Sequence, residues 1–268
     1  MSRTVSLQLA CAAVALVALV PTANAQSTSD DRLALMASGS TLTDTNGGWG
    51  ASALWLHYFN ANTIAGLGGE HQSIGDARWN FGKLTLNHGF GDPQRRTNVY
   101  FEAAEGSGHD AVHDYGYSIE TLGVFQNISP KLILQLEDKQ IDVDTAKGNL
   151  PKVGVQYLWT PRLGTSVGYA YSLSDALETR LFTARVDGYL GSTVTAFAGM
   201  ANGPSAAIFI NSIPAGPGAI LHEYYAGIAR AFSRADTTLV LDYSRLGEST
   251  HWTLSFNATL HKRTGAAR

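Results

Sequence analysis

Cysteine is almost missing. The 268 residues contain one, Cys11, and it lies inside an apolar N-terminal run. The chain beyond it has no thiol, which excludes a disulfide framework and any cysteine-bound metal centre. Long hydrophobic runs are missing too. Past the N-terminus no stretch approaches the roughly 20 apolar residues of a spanning helix. Charge of either sign is balanced, with 19 Lys and Arg against 22 Asp and Glu, a formal net of −3. No basic patch is present, so a nucleic-acid partner is not expected. There is no Gly-rich phosphate loop, Cys cluster or calcium loop, and no cofactor is expected. The mean hydropathy of −0.05 is near neutral, a value that a membrane protein reaches only if its apolar residues are interleaved with polar ones.

The N-terminus reads as an export signal. Arg3 precedes an apolar run from Leu7 to Val20, followed by Pro21-Thr-Ala-Asn-Ala25. Such a run is too short to span, and its Ala-x-Ala end predicts cleavage between Ala25 and Gln26. Lipidation at Leu9-Ala10-Cys11 is the weaker reading, because most of the apolar run follows the cysteine. The expected organisation is a signal peptide over 1–25 and one domain over 26–268. Losing Arg3 takes the formal charge from −3 to −4. An exported chain with no disulfide needs another brace. A closed barrel supplies one, since each backbone polar group pairs with a neighbouring strand.

What the chain has in quantity is alternation. In Leu132–Ile141, Leu132, Leu134 and Leu136 share one face and Gln135, Glu137 and Lys139 the other. That period of 2 marks a strand. Val153, Val155, Tyr157 and Trp159 repeat it, and Thr165, Val167, Tyr169 and Tyr171 repeat it after the turn Thr160-Pro-Arg-Leu-Gly164. Later strands show Phe182, Ala184 and Val186 against Arg185 and Asp187. Leu239, Leu241 and Tyr243 oppose Val240, Asp242 and Ser244, and Trp252, Leu254, Phe256, Ala258 and Leu260 oppose Thr253, Ser255, Asn257 and Thr259. Among earlier strands, Leu54, Leu56 and Tyr58 share a face, Leu84 and Leu86 oppose Lys83, Thr85 and Asn87, and Val99, Phe101 and Ala103 oppose Asn98, Tyr100 and Glu102.

Sandwich strands are usually about 5–6 residues long and pack on a second sheet. These runs are about ten residues, end in Tyr or Trp, and oppose an apolar face to a polar one, as transmembrane strands do. The expected fold is therefore all-β, a transmembrane antiparallel up-and-down β-barrel of about 12–14 strands. Short breaks near Ala61, Asp92, Ser129, Pro161, Gly191 and Arg234 are expected on the periplasmic side. Longer ones, among them Glu105–Asp114 and Asn202–Ile220, are expected outside. The signal read by the insertion machinery is expected within Phe256–Leu260, because the chain ends Gly265-Ala-Ala-Arg268.

Charges inside such strands should face inward, since a lipid-facing Lys or Arg at mid-membrane costs about 2–4 kcal/mol. The expected lumen set is Glu102, Glu120, Glu137, Lys152, Arg185, Asp187 and Asp242. One outer loop joins the strands of Glu137 and Lys152, which predicts that the two approach directly. The favoured arrangement is a neutralising network in a narrow lumen. The alternative is an open selective path. His109, Asp110, His113 and Asp114 form the most reactive-looking cluster, a metal or water-activating candidate, though a solvated polar loop is the favoured reading of it. His222-Glu223 and His251 carry no supporting pattern. Ser249 and His251 share a strand face, but no acidic partner or oxyanion hole can be located for a serine hydrolase.

Three stretches resemble small outer-membrane barrels of the YaiO type: Ser129-Pro-Lys-Leu132, Val153-Gly-Val-Gln-Tyr157 with Thr160-Pro-Arg162, and Tyr169-Ala-Tyr-Ser172. The resemblance covers the middle third of the chain. It implies an outer-membrane barrel, and some members sit near surface-polysaccharide functions. The expected function is a non-enzymatic narrow channel or an accessory to envelope or surface-polysaccharide export in the cell outer membrane. The expected partners are outer-membrane lipid, the barrel-assembly machinery, and a polysaccharide or small solute. Two rivals come from other classes: a barrel-rim hydrolase acting on lipid or peptide, and a docking barrel using the 202–220 loop.

Overall fold

The computed structural model describes residues 30–42, 47–74, 77–92, 95–109, 114–143, 146–174, 179–205, 219–246 and 249–261. The expected signal peptide with Cys11, the C-terminal tail, Asp110, His113 and most of the 202–220 loop lie outside these residues.

Fourteen strands form one closed antiparallel barrel in which each strand pairs with its sequence neighbours. They are β1 (Asp30–Leu42), β2 (Gly48–Tyr58), β3 (Thr63–Ile74), β4 (Ala77–Phe90), β5 (Thr97–His109), β6 (Asp114–Ser129) and β7 (Leu132–Val143). The second half is β8 (Ala146–Thr160), β9 (Leu163–Tyr171), β10 (Arg180–Tyr189), β11 (Val194–Ser205), β12 (Ala219–Ala231), β13 (Ala235–Leu246) and β14 (Ser249–His261). Closure is between β1 and β14, with Arg32 opposite His261 and Leu42 opposite His251. A closed barrel has no sheet edge, so the backbone hydrogen bonds are satisfied within the fold.

The outer surface is apolar because alternate residues point there. Leu136, Val153, Val167, Val186, Leu241, Leu254 and Phe256 are all exposed. Aromatic residues cluster towards both rims of this surface. Phe59, Phe90, Trp159 and Phe232 lie at the short-turn end, and Trp49, Tyr171, Tyr224 and Trp252 at the other. Short turns mark the periplasmic side of such barrels. The turn at Gly191 is one of them. Its φ of 85° is left-handed, a conformation that glycine adopts without the Cβ penalty.

The strands run further than alternation indicates. β5 continues to His109 and β6 begins at Asp114, so most of the expected Glu105–Asp114 loop is paired strand. β8 begins at Ala146 rather than Lys152, and β11 continues to Ser205. The outward residues Glu105, Ser107 and Asn149 of these extensions are polar, as are Glu120, Asp138 and Gln140 at the same level of β6 and β7. Where both faces are wet, a strand needs no apolar face, and the period-2 signal disappears while the backbone ladder continues. On β2 the outward face holds Trp49 and Trp55, whereas Leu54, Leu56 and Tyr58 are half-buried on the inward face.

Candidate functional site

The lumen is the concave surface that this architecture builds. The structure places Glu102, Glu137, Lys152, Arg185, Asp187 and Asp242 on inward faces, each alternating with outward neighbours such as Leu136, Val153, Val186 and Leu241. Glu120 is a correction. It is exposed on the outward face of β6, in line with Leu122. Its ladder partners are Ala103 and Gln140. That is the level at which the outer surface has turned polar, so a charge there is hydrated, and the desolvation argument for facing inward does not apply.

Ladder register brings β3 to β8 together into a mixed-charge wall. Glu70 and Lys83, on adjacent strands, form an ion pair, and Gln72 Nε2 donates to Glu70 Oε1 at 2.5 Å. Glu137 accepts from Tyr100 Oη at 2.5 Å and from Gln135 Nε2 at 3.2 Å. Lys152 stands directly opposite Glu137 in the ladder. The ladder thus brings the two face to face, as expected, without closing an ion-pair contact among the described residues. The carboxylate is turned towards Tyr100 and Gln135 instead. Tyr100 can reach so far because its ring lies over Gly123 of the next strand, where an added Cβ would sit 2.1 Å from the ring. On the facing wall Arg185 donates twice to Asp187 Oδ1, at 2.9 and 2.6 Å, with its guanidinium 4.0 Å from the centre of the Phe197 ring. Arg over an aromatic face adds attraction without neutralising either charge.

Sequence reasoning passed over Glu70, Lys139 and Glu223 as lumen charges, and named Lys83 only as opposing leucines. For Lys83 and Lys139 the alternation with Leu84 and Leu136 was sufficient signal. Glu70 sits in the Gly-rich β3, where few large side chains reveal which face is which. Glu223 alternates with Tyr224 and Ile228, and its class could have been read the same way.

The two halves of the lumen differ. Towards the outer end, Trp79, Ile141, Leu221, Glu223, Ser244 and His251 are sealed from water, all at 1% exposure or less. Phe81 and Tyr117 meet edge to face at 5.4 Å, and Leu150, Ala170, Leu181, Ala201 and Leu221 pack together across β8 to β12. Towards the centre, Glu102, Glu137, Lys139 and Lys152 are less tightly enclosed, each partly buried. The outer part is therefore a constriction, and the charged wall lies beneath it.

The rim candidates separate. His109 Nδ1 and Asp114 Oδ1 lie 2.6 Å apart, with side chains 62% and 88% exposed. An ion pair so open to water is screened and contributes little. Among the described residues no three His, Cys, Asp or Glu side chains converge as a metal site would need. His222 faces outward, while His251 is buried inside the lumen on β14.

No protein-family model matches the chain, and no curated protein matches its sequence. Solved structures do match in shape. A CymD monoaromatic hydrocarbon channel superposes with a TM-score of 0.58 at 10% identity, over 91% of this chain and 90% of that one. The toluene transporter TbuX of Ralstonia pickettii gives 0.55 at 9% identity, over 89% and 90%. The outer membrane protein Omp33 of Acinetobacter baumannii gives 0.51 at 8% identity, over 87% and 99%. At such identities the likeness establishes the fold, an outer-membrane type of β-barrel. None of the three is described as a YaiO protein.

Proposed function

We propose that the protein is a non-enzymatic outer-membrane channel, narrow and polar inside, for small hydrophilic solutes. The observation that carries this reading is the wall of partly buried charges, Glu102, Glu137, Lys139 and Lys152, inside a barrel whose outside is apolar. Charged side chains inside a barrel give solutes a polar path as far as the constriction. The architecture is shared with barrels described as channels and transporters. Those two carry aromatic hydrocarbons by their descriptions, whereas this lumen is lined by carboxylates and ammonium groups, which favour polar cargo. The motifs at Ser129, Val153 and Tyr169 add a finer reading, in which the cargo belongs to surface-polysaccharide handling.

Steady single-channel conductance in planar bilayers tests the reading, and a silent barrel defeats it. Lys152→Ala refines the test. Glu137 keeps its bonds to Tyr100 and Gln135 without Lys152, so melting should stay within about 3 °C of the parent, the shift that ~1 kcal/mol produces in a chain of this size. Losing a lumen cation should shift the reversal potential towards cation selectivity. An unchanged reversal potential would remove Lys152 from the conduction path. A fall in melting well beyond that margin would instead favour the neutralising network.

Under the same proposal the chain reaches the outer membrane after losing residues 1–25, handed over by the barrel-assembly machinery into outer-membrane lipid. Sequencing the mature protein should begin at or near Gln26. An acylated Cys11 at the mature N-terminus would overturn it.

A further inference from the structure

The surplus of charge in the lumen is concentrated in one place. Glu223 on β12 and Asp242 on β13 face inward on adjacent strands, offset by one diagonal of the ladder. Glu223 is opposite Ser244, and Asp242 is opposite Tyr225. Ser244 in turn faces His251, and Asp242 faces Thr253. All five of these polar side chains are at most 2% exposed. The Glu223 and Asp242 carboxyls lie within hydrogen-bonding reach of each other, but no donor group meets Glu223 Oε1 or either oxygen of Asp242, and Ser244 Oγ, both ring nitrogens of His251 and Thr253 Oγ1 have no partner.

Buried carboxylates without a counter-charge are costly, as are buried polar atoms without a partner. No Lys or Arg is at hand to relieve them. Among the described residues, β11 to β14 present no inward Lys or Arg, since Arg230 and Arg245 alternate to the outside. The nearest inward cation on that side, Arg185, is already committed to Asp187. The other charged walls of the lumen are internally balanced, Glu70 by Lys83 and Asp187 by Arg185. Here two carboxylates, two hydroxyls and an imidazole occupy neighbouring rungs with nothing to hold.

We propose that this cluster is a binding site for the protonated amine of a small organic cation. An ammonium head carries three donors and no acceptor, which suits two adjoining carboxyl groups that face no donor of the protein, with hydroxyls beside them. A metal ion would need at least three of its usual ligands to converge, and they do not. The side chains close over the site, so the amine enters by displacing them rather than by filling a void. The proposal deepens the channel reading, on which it rests for how the cation arrives. Binding itself can be measured without transport.

The test uses the full barrel in detergent, with ethylammonium chloride as the probe against potassium chloride at equal ionic strength. Ethylammonium should raise the parent's Tm by about 3 °C through mass action on the folded state. The Glu223→Gln/Asp242→Asn variant should show no ethylammonium-specific rise. Should that variant fail to fold, Ser244→Ala should fold and show a smaller rise than the parent. In bilayers, ethylammonium should reduce potassium current through the parent and not through the double variant. A Tm response equal for the two salts, or an undiminished response in the variants, overturns the site. So does stabilisation by acid alone, which would assign a shared proton to the two carboxylates. A conducting barrel without the ethylammonium response defeats the site and keeps the channel. A silent barrel with the response keeps the site and defeats the channel.

Discussion

Phe256→Arg should abolish assembly or leave a barrel that melts well below the parent. Phe256 is 48% exposed on the outward face of β14, between Leu254 and Ala258. Its ladder neighbours on either side are Leu239 and Ala37, also outward. It therefore sits in the apolar belt, several residues from both rims of the strand. Arg at the midplane of a transmembrane barrel costs about 2–4 kcal/mol, and near an interface about 0–1 kcal/mol. Thr250 lies on the same face of the same strand close to the outer rim, and Thr250→Arg is the control. Heat modifiability on gels and membrane fractionation measure both. If the two variants assemble and melt alike, the outward face of β14 does not contact hydrocarbon where the geometry puts it.

Lys83→Met should give the second large effect, a loss of about 3 kcal/mol, because it leaves a carboxylate alone in the lumen. Glu70 is only 1% exposed in its side chain, and Lys83 is its ion-pair partner. Gln72 Nε2 also donates to Glu70, which keeps the loss at the lower end of what breaking a buried pair costs. For a chain of this length that corresponds to a fall of about 9 °C in Tm. Removing both partners should be milder than removing one, since no buried charge is then orphaned. Glu70→Gln with Lys83→Met should recover most of the melting temperature. A single variant that melts like the parent would mean that water reaches Glu70 and hydrates it.

The contrast between the two charged regions follows from the same rule. Glu70 has found its cation on the next strand, and its removal is expected to be damaging. Glu223 and Asp242 have found none, so a substitution there removes a liability from the free protein and an anchor from the bound one. The same change in charge thus has opposite expected consequences on opposite walls.

That the chain is built of strands, and which residues share a face on each, was legible in the sequence alone. Each of these is a local property. Side chains two apart in a strand point the same way, so Phe256 and Leu254, or Lys83 and Thr85, could be sorted from a few neighbours. The barrel and its even strand number follow from length, turns and the need to leave no edge. Only the tertiary structure decided how far strands extend and which inward residues meet. Past the bilayer a strand is held by ladder hydrogen bonds alone, which no side-chain pattern records. Glu120 was consequently misplaced and the Glu105–Asp114 region was read as loop. Meetings depend on register across strands. Tyr100 finds Gly123 on the next strand and so reaches Glu137 beyond it, which takes that hydrogen bond although Lys152 stands opposite. Register likewise sets Glu223 and Asp242 on adjacent strands, with Ser244 between Glu223 and His251. No local spacing carries that information, because it is the sum of every pairing around the closed ring.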